Sequence, residues 1–190
     1  KEINRGSIFC SCLQLSFVEA LAELAKSDAE SLFVESSGLA DPSNIMDILE
    51  SVKVLTGDVY DFQGVICLID GVHFPKQVKD TETVDRQLKH CDVAIINKID
   101  LISEEQYKNV FSLVREVNPH CKVLSCAHGQ ADLSFMKEAF LQGDWAFSEE
   151  SLNTVDNKPK TISLLCTESV EKERFQQFLQ AVLPECYRIK

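Results

Sequence analysis

Short apolar runs alternate along this chain with stretches in which apolar residues recur every three or four positions. Four runs, three of them continuous and partly β-branched, are followed by polar positions and lie at 32–34, 65–69, 93–96 and 122–126. Continuous apolar strands are typical of a parallel sheet that is covered on both faces. The pattern therefore predicts four strands. A polar residue lies at or near the carboxyl end of each strand, and these residues are Glu35, Asp70, Asn97 and Ser125.

Helical spacing fills the intervals between these runs. Ser103 and Gln106 form a capping-box pattern for a helix that ends before Asn118 and Pro119. Apolar stripes predict a first and a last helix, which carry Phe17, Leu21, Leu24 and Ala25, and Phe175, Phe178, Leu179 and Val182. This alternation predicts an α/β fold with a doubly wound, mostly parallel sheet, whose ligands lie beyond the carboxyl ends of the strands.

The chain changes character after residue 142, where a polar stretch without a clear period begins. A single strand and helix follow this stretch, and such a pair cannot bury its own apolar face. We therefore predict a nucleotide-binding domain at 1–145, a linker at 146–160, and the beginning of a small second domain of the α+β class at 161–190.

Composition narrows the function. The net charge of −11 argues against a nucleic-acid partner, because such partners need a basic face. No apolar run approaches the ~18 residues that a membrane span requires. Most of the eight cysteines do not form a disulfide pattern, and Cys67 and Cys166 lie inside apolar runs, where we expect buried free thiols. A reducing cytoplasm is the expected location.

The sequence Asn97-Lys98-Ile99-Asp100 directly follows the apolar run at 93–96. A carboxylate at Asp100 can accept two hydrogen bonds from guanine, whereas adenine lacks that pair of donors. Such a site rejects the wrong base by roughly four to five orders of magnitude. The stem of Lys98 can cover the base, and Asn97 can tie the loop to neighbouring backbone. The alternative is a polar strand end without a ligand.

Two further loops follow predicted strands. Glu35 ends the first run, where nucleotide hydrolases hold Mg²⁺, and Gly38 permits close approach of a γ-phosphate. The alternative is a strand-to-helix turn, with Asp41 as the cap of a helix that begins at Pro42. The loop at 125–129, which follows the fourth run, can present backbone N–H groups to the guanine carbonyl, and its candidate residues are Ser125, Ala127 and His128. The alternative is an ordinary loop.

The sequence Glu-Ser-Ser-Gly-Leu-Ala-Asp-Pro at 35–42 resembles the signature that follows the Mg²⁺-side strand of CobW-type GTPases. The segments 87–101 and 69–71 resemble the guanine-specificity segment and a strand end of that family, and 161–190 resembles the start of its C-terminal domain. The resemblance implies a P-loop GTPase that uses GTP and Mg²⁺ and takes part in metal delivery or cofactor assembly, including roles like those in cobalamin biosynthesis. Its partner would be a client metalloprotein that the sequence does not name.

The sequence departs from that family at the phosphate-binding loop. No Gly-Lys-Ser or Gly-Lys-Thr occurs in residues 1–190, so we expect this loop and its strand to precede Lys1. The lysine and glycine backbone of that loop provide most of the charge neutralisation in phosphoryl transfer. We therefore expect residues 1–190 alone to hydrolyse no GTP.

A second departure concerns the family's Gly-Cys-x-Cys-Cys motif. Residues 6–12 are Gly-Ser-Ile-Phe-Cys-Ser-Cys, so Cys10 alone falls on a family cysteine and Cys12 adds a thiol two positions later. Two thiolates can contribute to a site for Zn²⁺ or Co²⁺, although a closed site needs four ligands. The alternative is a pair of semi-buried thiols without metal.

Two functions from different classes therefore stay open. The first is a slow GTPase whose hydrolysis is coupled to metal transfer. The second is a metal- or nucleotide-dependent interaction module that has lost turnover. The sequence also leaves open whether the protein forms a homodimer.

Overall fold

The computed structural model describes residues 7–137, 150–153 and 162–186. The chain divides into two compact units, residues 1–158 and 159–190. Among the described residues of the first unit, the elements in chain order are α1 (Gln14–Leu24), α2 (Ile45–Thr56), β1 (Ile66–Asp70), α3 (Phe74–Asp80), α4 (Glu82–Lys89), β2 (Val93–Asn97), a 3₁₀ turn (Ile99–Leu101), α5 (Glu104–Val117), β3 (Lys122–Ser125) and a second 3₁₀ turn (Ser134–Lys137).

The three strands form a parallel sheet in the order β1-β2-β3. Asp70 lies opposite Asn97, and Ile96 lies opposite Ser125. The polar residues that end the strands therefore lie along one edge of the sheet, as in other α/β folds with ligands at that edge. This arrangement confirms the predicted α/β class and its parallel sheet.

The centre of the sheet is buried because β2 has apolar side chains on both faces. Ala94 and Ile96 pack in a core cluster with residues of α3, α4 and α5. Val93 and Ile95 pack on the opposite face, against Phe135 of the second 3₁₀ turn. A separate core cluster joins α1 and α2.

The predicted helices form where the sequence places them. The Ser103 hydroxyl accepts a hydrogen bond from the Gln106 backbone and the Gln106 side chain accepts one from the Ser103 backbone, so the predicted capping box begins α5. The first helix, α1, buries Phe17 and Leu21 as its apolar stripe requires. The second unit contains α6 (Lys172–Val182) and a 3₁₀ turn (Leu183–Glu185).

Two predicted strands are wrong. Residues 32–34 pair with no strand in the described part of the chain, and Phe33 is 70% exposed. Residues 162–166, which are the single strand predicted after the linker, also form no strand, and Cys166, predicted to be buried, is exposed. An apolar run has the composition of a strand, but a strand also needs a neighbouring backbone to which its N–H and C=O groups can bind.

Asp41 does not cap a helix at Pro42. The helix α2 begins three residues later, at Ile45, with Asn44 at its N-cap. Asp41 is instead fully buried and its carboxylate accepts hydrogen bonds from the backbone and the hydroxyl of Ser43. These bonds form a turn at 41–43, which delays the helix because the side chain competes with helical backbone bonding.

Most of the predicted linker at 146–160 lies outside the described residues. Its described part, residues 150–153, belongs to the first unit and is bound to residues 39–41 of that unit through hydrogen bonds of Ser151, Leu152 and Asn153. None of the helices in the described ranges is both long and apolar enough to cross a bilayer.

Candidate nucleotide site at the carboxyl edge of the sheet

Asn97 joins the two loops that were predicted to recognise a base. Its side-chain oxygen accepts hydrogen bonds from the backbone of Lys98 at 2.8 Å and of Gly129 at 3.1 Å, and from the thiol of Cys126 at 3.4 Å. The backbone of Ile99 also donates to the carbonyl of Cys126 at 3.3 Å. The loop after β2 and the loop after β3 are therefore held side by side.

Lys98 has a left-handed backbone conformation, with a φ of 63°. Non-glycine residues adopt this conformation uncommonly. Lys98 keeps it because the hydrogen bonds around it constrain the loop. The ammonium of Lys98 lies 2.8 Å from a carboxylate oxygen of Asp70, at the end of β1. In this structure the predicted base-covering lysine is therefore anchored to the neighbouring strand.

Asp70 has an unusual electrostatic environment at this edge. Partial burial by itself would raise the pKa of its carboxyl, but hydrogen bonds from Lys98, from the imidazole of His73 and from the backbone of Val72 and His73 lower that pKa to about 2. The carboxylate thus stays ionised and keeps the position of Lys98. The sequence placed Asp70 at a strand end, but the spacing of residues gave no signal for its pairing with Lys98.

Asp100 lies in the 3₁₀ turn after Lys98, and its side chain is 33% exposed. The imidazole of His128 lies 3.7 Å from its carboxylate. His128 reaches this position with a φ of 53°, and Gly129 follows with a φ of 72°. Two of the predicted base-binding residues, one from each loop, therefore meet at one exposed point.

Ser125 and Ala127 have different surroundings. The hydroxyl of Ser125 is hydrogen-bonded to the phenol of Tyr107 at 2.8 Å, and both line an open depression of about 310 Å³ beside the start of α5. The carbonyl of Ala127 accepts from the backbone of Gln130 at 3.0 Å. Sequence reasoning missed Tyr107, because its apolar spacing within α5 is also that of a core residue.

Gly71 allows β1 and β2 to approach closely at the site. Its backbone donates a hydrogen bond to the carbonyl of Asn97 at 3.0 Å, and a Cβ added at Gly71 would lie 2.9 Å from that carbonyl. The residue after the strand end is therefore small because the Asn97 backbone occupies the space that a side chain would need.

Glu35 and Gly38 are exposed and lie in the irregular segment before α2, with Gly38 in a turn. A Cβ at Gly38 would meet no atom within 4 Å, so the space in front of this glycine is open. The carbonyl of Gly38 accepts a hydrogen bond from the side chain of Gln87 at 3.2 Å, which connects this loop to α4. No hydrogen bond or ion pair among the described residues joins Glu35 to Asn97.

Cys10 and Cys12 lie in the turn before α1. Cys10 is buried and Cys12 is exposed, and the backbone of Cys12 donates to the sulfur of Cys10 at 3.4 Å. Sulfur donors of this kind suit a soft cation chemically. Within the described ranges no group of three or more His, Cys, Asp or Glu side chains is placed to hold a metal ion.

A parallel sheet whose strand ends carry hydrogen-bonded polar loops defines the class of this unit as an α/β domain with a polar carboxyl edge. Residues 1–125 match the family model of the CobW/HypB/UreG nucleotide-binding domain. The chain therefore belongs to the CobW/HypB/UreG family.

Two relatives are similar in sequence over most of this chain. Zinc chaperone YjiA from Escherichia coli (strain K12) is 27% identical over 165 residues, which cover 84% of this chain and 49% of the relative. Zinc-regulated GTPase metalloprotein activator 1 from Schizosaccharomyces pombe (strain 972 / ATCC 24843) is 25% identical over 133 residues, which cover 68% and 32%. A crystal structure of Zn(II)-bound YjiA GTPase from E. coli is similar with a TM-score of 0.48 and 23% identity, covering 78% of this chain and 48% of that one.

The chain spans only part of these relatives. It covers 49% of the zinc chaperone and 32% of the S. pombe activator.

Proposed function

We propose that the protein containing this chain binds GTP, hydrolyses it and uses the cycle to deliver a metal ion to a client metalloprotein in the cytoplasm. The observation that carries this proposal is the locked pair of loops at the sheet edge. Asn97 holds the Lys98–Asp100 turn against the loop of His128 and Gly129 through its side-chain oxygen.

Guanine selection would depend on Asp100. Its carboxylate can accept from N1–H and from the exocyclic amine of guanine, and the rigid turn before it keeps those acceptors in place. Preorganised polar groups discriminate strongly, because the wrong base leaves them without partners. The Ala127 and His128 backbone would face the base carbonyl from the neighbouring loop, and Lys98 would cover the ring.

Hydrolysis would involve the segment before α2. Glu35 would hold Mg²⁺ directly or through water, and Gly38 would bind the γ-phosphate through its backbone, where the structure leaves open space. Mg²⁺ would supply charge neutralisation of the phosphates. The chain's own residues would orient the ion and the terminal phosphate.

Zn²⁺ is the metal cargo that we propose over Co²⁺. The relatives are named a zinc chaperone and a zinc-regulated GTPase metalloprotein activator, and the thiols of Cys10 and Cys12 are soft donors that suit Zn²⁺. Two thiols leave coordination positions open, which a transfer site needs and a structural site does not.

The test is the nucleotide specificity of the full-length protein with Asp100→Asn. The amide replaces one acceptor oxygen of the carboxylate by an N–H donor, which matches the carbonyl that xanthine has in place of the exocyclic amine of guanine. We therefore expect GDP affinity to fall at least 100-fold while xanthosine diphosphate gains affinity. Isothermal titration calorimetry with GDP, ADP and xanthosine diphosphate measures this change.

The matched control is Asp58→Asn, which also neutralises a surface carboxylate but lies beside Lys53 instead of the site. This variant should bind GDP like the wild type. Equal affinity of the wild-type protein for ADP and GDP, or an Asp100→Asn variant that keeps its preference for guanine over xanthine, would overturn the proposed base recognition.

A further inference from the structure

Asn153 connects two segments that are far from it in sequence. Its side-chain oxygen accepts hydrogen bonds from the Ser7 hydroxyl and from the Asp41 backbone, both at 2.7 Å. Its side-chain nitrogen donates to the carbonyl of Leu39 at 2.8 Å. One amide group therefore bridges the turn before α1 and the loop before α2.

The neighbours of Asn153 strengthen this attachment. The backbone of Leu152 donates to the buried carboxylate of Asp41 at 2.7 Å, and the hydroxyl of Ser151 donates to the Asp41 carbonyl at 3.0 Å. A buried carboxylate is costly unless donors satisfy it. Asp41 therefore needs residues 151–153 in place, and residues 151–153 in turn hold the loop in which Asp41 lies.

The two bridged segments carry the predicted chemistry. Ser7 also accepts hydrogen bonds from the backbones of Phe9 and Cys10, so its position is tied to the turn that presents Cys10 and Cys12. Leu39 directly follows Gly38, the predicted γ-phosphate contact. A movement of either segment would strain or break the hydrogen bonds of Asn153.

We propose that Asn153 is a positioning residue that couples the turn of Cys10 and Cys12 to the loop of Gly38, so that metal binding at the first segment and nucleotide binding at the second influence one another. This inference rests on the proposed function. Coupling of this kind is reciprocal, since each ligand changes the affinity for the other by the same factor.

A simple structural role of Asn153 predicts a different result. Loss of a packing contact would lower stability and leave the ratio of metal affinities in two nucleotide states unchanged. A positioning role changes that ratio, because the bridge transmits the shift of one segment to the other. The two roles are therefore separated by measuring, in the same variant, the hydrogen exchange of the two segments and the ratio of Zn²⁺ affinities in two nucleotide states.

The first measurement is hydrogen–deuterium exchange of the full-length protein with Asn153→Ala. The Asp41 amide donates to the Asn153 side chain, so its exchange should become about tenfold faster after one hydrogen bond is lost. The peptides covering Ser7–Cys10 should also exchange faster. Glu150→Ala is the matched control from the same segment, because Glu150 is exposed and alanine keeps the backbone carbonyl that accepts the hydrogen bond from Arg86. This variant should leave both peptides unchanged.

The second measurement is the Zn²⁺ affinity of the wild type and of Asn153→Ala, with GDP and with a non-hydrolysable GTP analogue. The wild-type affinities should differ between the two nucleotides by about fivefold or more, and in the variant their ratio should move toward one. Unchanged exchange at Asp41 in the variant would overturn the positioning role. An unchanged ratio would overturn the coupling.

Failure of the proposed function has a separate signature. If the wild type bound no guanine nucleotide in calorimetry, the function would fall, whereas the exchange experiment without nucleotide would still decide whether Asn153 positions the two segments. If Asn153→Ala unfolded the whole unit, Ser151→Ala would replace it, because this change removes only the hydroxyl that binds the Asp41 carbonyl and the Asn153 backbone. Faster exchange at Asp41 in Ser151→Ala would support the bridge, and unchanged exchange would overturn it.

Discussion

The stability of the first unit should depend strongly on Asn118, at the end of α5. Its side chain donates hydrogen bonds to the carbonyls of Leu88 and Cys91, both at 2.9 Å, and accepts from the backbones of His120 and Cys121 at 3.1 and 3.0 Å. Asn118 is only 7% exposed, so water cannot easily replace these bonds. One buried amide thus joins the end of α4 to the beginnings of β2 and β3.

The magnitude follows from which groups lose a partner in Asn118→Ala. The Leu88 carbonyl keeps a second donor in the Cys91 backbone, whereas the bonds from the amide to the Cys91 carbonyl and from the Cys121 backbone to the amide are lost inside the core. Each buried group left without a partner costs about 1–3 kcal/mol. We therefore expect Asn118→Ala to lower the free energy of unfolding by about 3 kcal/mol.

Urea unfolding followed by circular dichroism measures this change. Asn118→Asp keeps an acceptor for His120 and Cys121 but loses the donor, so it separates the two halves of the network. Asn109→Ala is the matched control, because Asn109 is exposed on the same helix, where alanine has the better helix propensity. A loss below about 1 kcal/mol in Asn118→Ala, or an equal loss in Asn109→Ala, would refute the assignment of Asn118 as a buried network residue.

Two further predictions concern charge and metal. Asp70 has a folded-state pKa of about 2 against an ordinary 3.8, so its contribution to stability should be present above pH 4 and lost as the pH falls toward 2. Carboxyl NMR titration measures this pKa, and a midpoint near 3.8 would contradict the pairing with Lys98. The double variant Cys10→Ser/Cys12→Ser should lose at least tenfold in Zn²⁺ affinity while keeping GDP affinity, as measured by titration of the reduced full-length protein. Unchanged metal affinity would show that the two cysteines are packing residues.

Local pattern was enough to predict α1, α5 and the three strands of the first unit. The apolar runs at 65–69, 93–96 and 122–126 became β1, β2 and β3. Both faces are covered along the central strand β2, as its continuous apolar run predicts, whereas Leu68 of β1 is 73% exposed, so the prediction of a sheet covered on both faces was wrong for β1. The capping box of α5 was also predicted, since its two residues lie three positions apart and bind one another's backbone. The polar ends of the strands also followed, as parallel strands end at one edge.

Contacts between distant segments could not be predicted in this way. The apolar run at 32–34 has the composition of a strand but no pairing neighbour among the described residues, and Asp41 became a buried carboxylate instead of a helix cap. The Lys98–Asp70 ion pair spans 28 positions and the Asn153–Ser7 hydrogen bond spans 146.

Periodicity records which side of an element faces the core, because burial and exposure repeat with the geometry of a helix or strand. It carries no information on which two surfaces meet, because that depends on the packing of whole elements. The sequence by itself therefore determined the parallel sheet, its polar edge and the family motifs. The tertiary structure alone decided which loop Asn97 holds, that of Cys126 and Gly129, and that Asn153 bridges two predicted sites.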